Sequence, residues 1–345
     1  EVFFVSVKSQ HNNGGAFLKT PFMKTHYLGL ELSSPVIVAS SPYTATSAKI
    51  QKCAAFGAGA VVLKSIFEEQ VLRQAAASDF EPQGMGDSGE YLERYLDDAY
   101  KLEFLRLISD ARRTGLPVIA SINCMSAGAA WTDYAVAMVD AGASALELNI
   151  FLQPADPCRP AQEIECEYAG IVRQVTAAVS VPVSVKLPMR LTNVLAMAET
   201  LRHCGARGVV LFNRFFEPDI DIEQLRFVAS DPFSAPSELR NVLRSAALCS
   251  SMIPELDLSV STGVHNGEAA VKALLCGARA VQVCTAIHLC GYEVIEAIGR
   301  FIDEWAERHG FSSLDQFYGK LDYGQIGNAL FQRVQYMKYF PSKVE

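Results

Sequence analysis

From Pro35 onward, short runs of aliphatic and β-branched residues alternate with stretches whose apolar positions recur at helical spacing. The runs are Pro35–Ser40, Ala60–Ile66, Pro117–Asn123, Ala143–Ile150, Pro182–Leu187, Gly208–Asn213, Leu256–Thr262 and Ala278–Thr285. Runs this short, apolar on both faces, suit the strands of a parallel sheet covered by helices. The intervening pattern predicts helices over Thr44–Phe56, Trp131–Ala141, Gln162–Ala178, Val194–Cys204, Ser237–Ser250 and Gly267–Cys276. Several helix-to-strand junctions share a Gly-Ala step: Gly57-Ala58, Gly142-Ala143, Gly205-Ala206 and Gly277-Ala278. Glycine takes the left-handed position that ends a helix, and the small residue after it lets the next strand approach. Eight strand–helix alternations predict a single-domain α/β fold, a closed (β/α)8 TIM barrel. An open doubly wound sheet is the alternative, because periodicity does not register closure.

The barrel is expected over residues 23–309. Residues 1–22 read as an upstream extension with no role in the fold, and they lack the basic start and long apolar region of a secretory signal. Two long connections interrupt the rhythm, at 67–96 after the second strand and at 214–233 after the sixth, both at the rim where barrel enzymes carry their chemistry. Residues 310–345 form a tail that could cap the barrel floor. Half of the 345 residues are hydrophobic and a fifth are charged, which supports a large core. The net charge of -8 argues against a nucleic-acid binder. No apolar run of about 18 residues is present, so no membrane span is expected. The nine cysteines include no CxxC pair, so a zinc or iron–sulfur site is not expected, and reduced thiols in a cytoplasmic protein are.

Polar residues at the strand ends change the picture. Lys64-Ser65 closes the second strand, Ser121 and Asn123 the third, Asn149 the fourth, Lys186 the fifth and Asn213 the sixth. Thr262, Gly263 and Val264 follow the seventh, and Cys284-Thr285 closes the eighth. A lysine in an otherwise apolar strand is costly unless an anion or polar partner meets it. Two lysines and three asparagines at one rim imply a ligand with negative charge and many hydrogen-bonding edges. Barrels often hold a phosphate after the last two strands, on backbone N–H groups. Flavin mononucleotide (FMN) meets all of these demands, with its phosphate at strands seven and eight and its ring over the mouth. A flavin-free aldolase or isomerase using Lys64 or Lys186 as a Schiff base is a rival reading, and a non-catalytic flavin-binding barrel is another.

Val62-Leu63-Lys64-Ser65-Ile66, Glu147-Leu148-Asn149, Val183-Ser184-Val185-Lys186-Leu187, Leu211-Phe212-Asn213 and Ser261-Thr262-Gly263-Val264 occur in the order seen in dihydroorotate dehydrogenases. The chain resembles their soluble class 1 branch over roughly residues 28 to 300. That resemblance implies an FMN-dependent oxidoreductase of pyrimidine metabolism that takes two hydrogens from a dihydropyrimidine-like small molecule, and a homodimer. It also implies that Ala39, Ser40, Lys64 and Ser65 contact the flavin and that Ser121, Asn123, Asn149 and Lys186 bind its ring and ribityl chain. Thr262, Gly263, Val264, Cys284 and Thr285 would hold the phosphate, and Asn149 and Asn213 would face the substrate. One departure is decisive for the chemistry. After Glu-Leu-Asn the family continues with a Ser-Cys-Pro-Asn loop whose cysteine, or serine, takes the substrate proton. Here the chain reads Ile150-Phe151-Leu152-Gln153-Pro154, with leucine in the base position. Cys158, six residues further on, is the candidate substitute base. A general base contributes typically about 10²–10⁴ in rate, so strict dihydroorotate oxidation is expected to be crippled.

Overall fold

The computed structural model describes residues 22–67, 98–124, 130–152, 156–214, 218–229 and 231–322. A hairpin of β1 (Thr25–Tyr27) and β2 (Leu30–Leu32) comes first. It is followed by β3 (Val36–Val38), α1 (Ser47–Ala55), β4 (Ala60–Val62), β5 (Ile66–Phe67), α2 (Asp98–Arg112) and β6 (Val118–Cys124). Next come α3 (Ala130–Asp140), β7 (Ala145–Ile150), α4 (Ala161–Ala178), β8 (Val183–Pro188), α5 (Val194–His203) and β9 (Gly208–Asn213). A second hairpin, β10 (Pro218–Asp221) and β11 (Arg226–Ala229), precedes α6 (Leu239–Met252) and β12 (Asp257–Val260). The last elements are α7 (Gly267–Leu275), β13 (Ala280–Val283), α8 (Thr285–Cys290) and α9 (Glu293–Arg308).

Pairing runs β4-β3-β13-β12-β9-β8-β7-β6-β5, and β4 also pairs with β6, so the sheet closes on itself. β4 and β5 are two halves of one interrupted strand, since Val61 and Ile66 face Val118 and Ile122 of the same neighbour. Eight parallel strand positions with helices between them make a (β/α)8 barrel, and closure removes the open-sheet alternative. Side chains alternate along each strand. Leu146, Leu148 and Ile150 of β7 face the helix layer and join the main core. Ala145, with Ala60, Val62, Ile119 and Ala280, packs instead around Tyr27, Leu28 and Leu32. The small alanines leave room for this hairpin to plug the amino-terminal end of the barrel. Backbone Leu28 donates to Asp257 Oδ2 at 2.7 Å, and Thr25 Oγ1 donates to the Arg279 carbonyl at 2.8 Å.

Local signals fix the helices. Thr46, Asn193 and Asn266 accept from the backbone N–H of Lys49, Ala196 and Ala269, capping α1, α5 and α7; each such cap is worth about 1 kcal/mol. Val294, Ile295, Ile298, Ile302 and Ala306 form the buried stripe of α9. Three departures from the sequence reading appear. α2 was not anticipated, although Phe104, Ile108 and Ala111 give it a buried face. The connection at 214–233 is not structureless but carries the β10–β11 hairpin. Phe22, assigned to the extension, lies where a Cβ on Gly57 or Gly299 would collide with its ring, so it belongs to the fold. Nearly all of the connection at 67–96, the rest of the extension and residues 323–345 lie outside the described residues. The first part of the tail packs on the floor: Leu314 and Phe317 are buried, and Gly319 and Leu321 donate to the carbonyls of Leu274 and Leu275 at 3.1 and 2.8 Å. Among the described residues no helix is long and apolar enough to cross a membrane.

Candidate active site

The carboxyl-terminal ends of the strands open on a cavity of about 250 Å³. Ala39, Ser40, Lys186, Asn213, Thr262, Gly263, Val264, Cys284 and Thr285 line it together. Strand register explains the convergence. Asn123, Asn149 and Lys186 stand opposite one another on β6, β7 and β8, forming one row at the mouth. Beside that row a hydroxyl network spans four strand ends. Ser40 Oγ meets Ser65 Oγ at 3.0 Å, Ser65 Oγ meets Ser121 Oγ at 2.8 Å, and Asn149 Nδ2 donates to Ser65 and Ser121 at 3.1 and 2.8 Å. One turn of the pleat deeper, Lys186 Nζ donates to Gln282 Oε1 at 3.3 Å, and Gln282 Nε2 donates to Glu147 Oε2 at 2.7 Å. Lys186 is only 7% exposed and forms no ion pair with a carboxylate among the described residues. Its remaining N–H donors suit an anionic ligand in the cavity.

The other end of the cavity is built from backbone. Thr262 and Gly263 take φ of 76° and 78°, two successive left-handed residues. They turn the backbone sharply beside the cavity as the chain leaves β12. A Cβ on Gly263 would stand 2.5 Å from Leu239 N, so glycine permits the start of α6 to abut this turn. Ser234 ties the region together. Its Oγ accepts from Gly263 N at 3.4 Å and lies 2.9 Å from His265 Nε2, while its N–H donates to Thr285 Oγ1 at 3.2 Å. Burial holds His265 below the ordinary histidine range, against the opposing pull of Glu238. Burial pushes the Cys284 thiol up, although Lys186 and Ser41 oppose the shift. Arg214 also lines the cavity and donates to the Asp231 carbonyl at 2.9 Å. Ser234, Arg214, Gln282 and Glu147 were missed at the sequence level. Gln282 and Glu147 were findable, because each lies two residues before a chosen position, Cys284 and Asn149, and so faces the same interior.

Two expected residues fall elsewhere. Lys64 does not line this cavity; it lines a separate groove of about 310 Å³ with Thr46 and Ser47 before and on α1 and Glu103 and Asp110 on α2. The strand is interrupted between Val62 and Ile66, and Leu63 and Ile66 both join the outer core, so the alternation set by Ala60 and Val62 is broken there; Ser65, not Lys64, reaches the hydroxyl network. Cys158 is exposed, and its N–H is fixed to Asp156 Oδ1 at 2.8 Å in the turn before α4, so it is not brought to the cavity as a base. The side chain of Cys124, at the end of β6, lies outside the described residues. No group of three His, Cys, Asp or Glu side chains suited to a metal occurs among the described residues.

A sequence profile of the family described as dihydroorotate dehydrogenase matches residues 22–305. The chain belongs to the dihydroorotate dehydrogenase family. It is similar to the catalytic subunit of dihydroorotate dehydrogenase B (NAD(+)) of Methanothermobacter thermautotrophicus, 27% identical over 86% of this chain and 97% of the relative. The corresponding subunit of Methanocella arvoryzae is 32% identical over 75% of this chain and 85% of that protein. Dihydroorotate dehydrogenase A (fumarate) of Lactococcus lactis is 25% identical over 87% and 99%. This family member is therefore a dihydroorotate dehydrogenase-like oxidoreductase acting on CH–CH groups. Lys186, 7% exposed, and the Thr262-Gly263 turn line the same cavity. Leu152, in the position of the family's base, packs against the strand–helix core.

Proposed function

We propose that the cavity binds FMN and that the protein transfers hydride between the flavin N5 and a saturated carbon of a dihydropyrimidine-like substrate. The observation that carries this reading is the convergence of Lys186, Asn213, Thr262, Gly263, Cys284 and Thr285 on one cavity. FMN, when bound, supplies the two-electron acceptor that no side chain can provide. The residues fit it as a set. The Thr262-Gly263 turn, with the Thr285 hydroxyl and the Ser234 hydroxyl that meets Gly263 N–H, would hold the phosphate, and Arg214, paired with Glu238, stands beside it. Lys186 would stabilise negative charge developing at the pyrimidine edge of the ring. Ser40, Ser65, Ser121, Asn123 and Asn149 would hydrogen-bond the ring and its chain, with Asn149 and Asn213 also toward the substrate. Lys64 is left outside this assignment by its placement. Among the described residues, Leu152 packs on the outer core and Cys158 is exposed, so neither offers the cavity a proton acceptor. The substrate is therefore a dihydropyrimidine whose oxidation does not depend on either residue, or the flavin serves binding rather than turnover.

The test is an absorbance spectrum of the purified protein, reconstitution with FMN, and anaerobic mixing with a panel of dihydropyrimidines. A yellow protein bleached by a member of the panel other than dihydroorotate is expected, and dihydroorotate with a dye acceptor should turn over little. A colourless protein that refuses FMN overturns the reading. Trapping of Lys186 by borohydride with a carbonyl substrate would favour a Schiff-base enzyme instead. A homodimer of the kind expected from the family is checked by light scattering.

A further inference from the structure

Three buried side chains run from the middle of the barrel to its mouth, and their chemistry is directional. Glu147 is fully buried, and its Oε2 accepts from Gln282 Nε2 while its Oε1 has no hydrogen-bond partner among the described residues. A carboxylate in such a place is costly unless opposite charge answers it. Gln282, itself 2% exposed, offers its amide group to Glu147 and its oxygen to Lys186. The two bonds allow one amide orientation: a flipped Gln282 would aim N–H groups at an ammonium and an oxygen at a carboxylate. Tyr27 of the barrel floor is fully buried nearby, and burial first, then the charges of Glu147 and Asp257, raise its phenol. No other part of the proposed site uses Glu147.

We propose that Glu147 is a positioning residue that acts through the fixed amide of Gln282 to hold the Lys186 ammonium aimed into the mouth cavity. The relay stands on the protein's own geometry, and its effect on flavin rests on the function proposed above. Replacing Glu147 with glutamine keeps the volume and removes the charge, so the amide of Gln282 is free to flip against Lys186. Gln282→Met interrupts the same chain at its centre and serves if the first variant does not fold.

Two measurements separate the relay from the function. On flavin-free protein at pH 8, labelling of Lys186 by trinitrobenzenesulfonate, quantified by peptide mass spectrometry, should be about tenfold faster in Glu147→Gln or Gln282→Met, because the ammonium loses the contact of an ion-linked hydrogen bond. Unchanged labelling in both variants overturns the relay. On FMN-loaded protein, Glu147→Gln should disfavour the reduced flavin about tenfold, a midpoint shift of about -30 mV for a two-electron couple. In a Lys186→Met background the same substitution should move the potential no further, whereas an equal shift in both backgrounds would reduce Glu147 to a packing role and overturn the proposal. Wild-type protein that takes up no FMN, together with faster labelling in the variants, overturns the function proposed and leaves the relay standing.

Discussion

Replacing Gly263 with alanine adds two penalties that the structure allows to be separated. The first is conformational. Gly263 has φ of 78°, and an L-residue in the left-handed region costs about 1–2 kcal/mol. The second is steric. The new Cβ would stand 2.5 Å from Leu239 N and 2.9 Å from Leu239 Cα, backbone atoms at the start of α6 that cannot swing aside. Relieving overpacking of this kind costs about 1–3 kcal/mol. The sum is about 2–5 kcal/mol, read as a lowered urea midpoint. Gly115 supplies the control: its φ is 80° and nothing lies within 4 Å of the Cβ position, so Gly115→Ala should lose only the conformational part. Function should separate the two further. Relief of the clash has to move the Thr262-Gly263 turn away from α6, which deforms this wall of the cavity, and FMN affinity measured by fluorescence quenching should fall at least about tenfold, or 1.4 kcal/mol. Gly115→Ala should leave affinity unchanged. Equal stability losses in the two variants, with FMN affinity intact in both, would refute the assignment of this turn as a close-packed anion cradle.

The two lysines give a second contrast. Lys186→Met should weaken FMN binding about 10-fold to 100-fold, the range of a hydrogen bond to a charged group, whereas Lys64→Met should change it less than about threefold in the same titration. The buried thiols predict alkaline sensitivity. Burial pushes Cys53 and Cys249 up to about 12, against about 8.5 for a thiol in the unfolded chain. Above that value the unfolded state releases protons that the folded state keeps, so stability should fall as pH rises between about 9 and 12. The slope is about 1.4 kcal/mol per pH unit per thiol. Urea midpoints at pH 8 and 10 read it, and the double variant Cys53→Ala, Cys249→Ala should flatten the difference.

Hydrophobic runs announced every barrel strand, because a parallel strand buried on both faces leaves an uninterrupted apolar signature. The helix α2 was equally visible in Phe104, Ile108 and Ala111, four and three residues apart, but its charged surface and the long connection before it masked the stripe. The site was legible at strand ends, where polar residues break apolar runs: Lys186, Asn213, Thr262 and Thr285 were all found in this way. Lys64 shows the limit of that rule. Alternation from Ala60 and Val62 would aim it inward, yet the strand breaks between Val62 and Ile66, the phase is lost, and Ser65 takes the inward place. Ser234 and Arg214 reach the cavity from a connection whose path no spacing fixes. Glu147 reads as part of the Glu-Leu-Asn motif, yet its two-residue offset from Asn149 also aims it into the barrel.

The same alternation decides what reverting the base position would do. Asn149 faces the mouth, so Ile150 faces the helices, where it is fully buried in the strand–helix core. Tyr168 on α4 then pins this strand end by donating to the Ile150 carbonyl at 3.0 Å, and burial pushes its phenol up to about 12, keeping it a donor at neutral pH. Leu152 follows the pinned carbonyl and packs against that outer core, not into the cavity. A thiol placed there by Leu152→Cys would inherit the direction as well as the position. The substitution should cost about 1–2 kcal/mol in stability, less than a full leucine truncation because the side chain is half-buried. It should raise dihydroorotate-dependent dye reduction by less than about tenfold, well short of the roughly 10²–10⁴ that a correctly placed base supplies. A gain of a hundredfold or more from this single change would mean that the loop aims residue 152 at the substrate. In that case the chain differs from its dihydroorotate-oxidising relatives by one functional group, and not by the path of the loop that carries it.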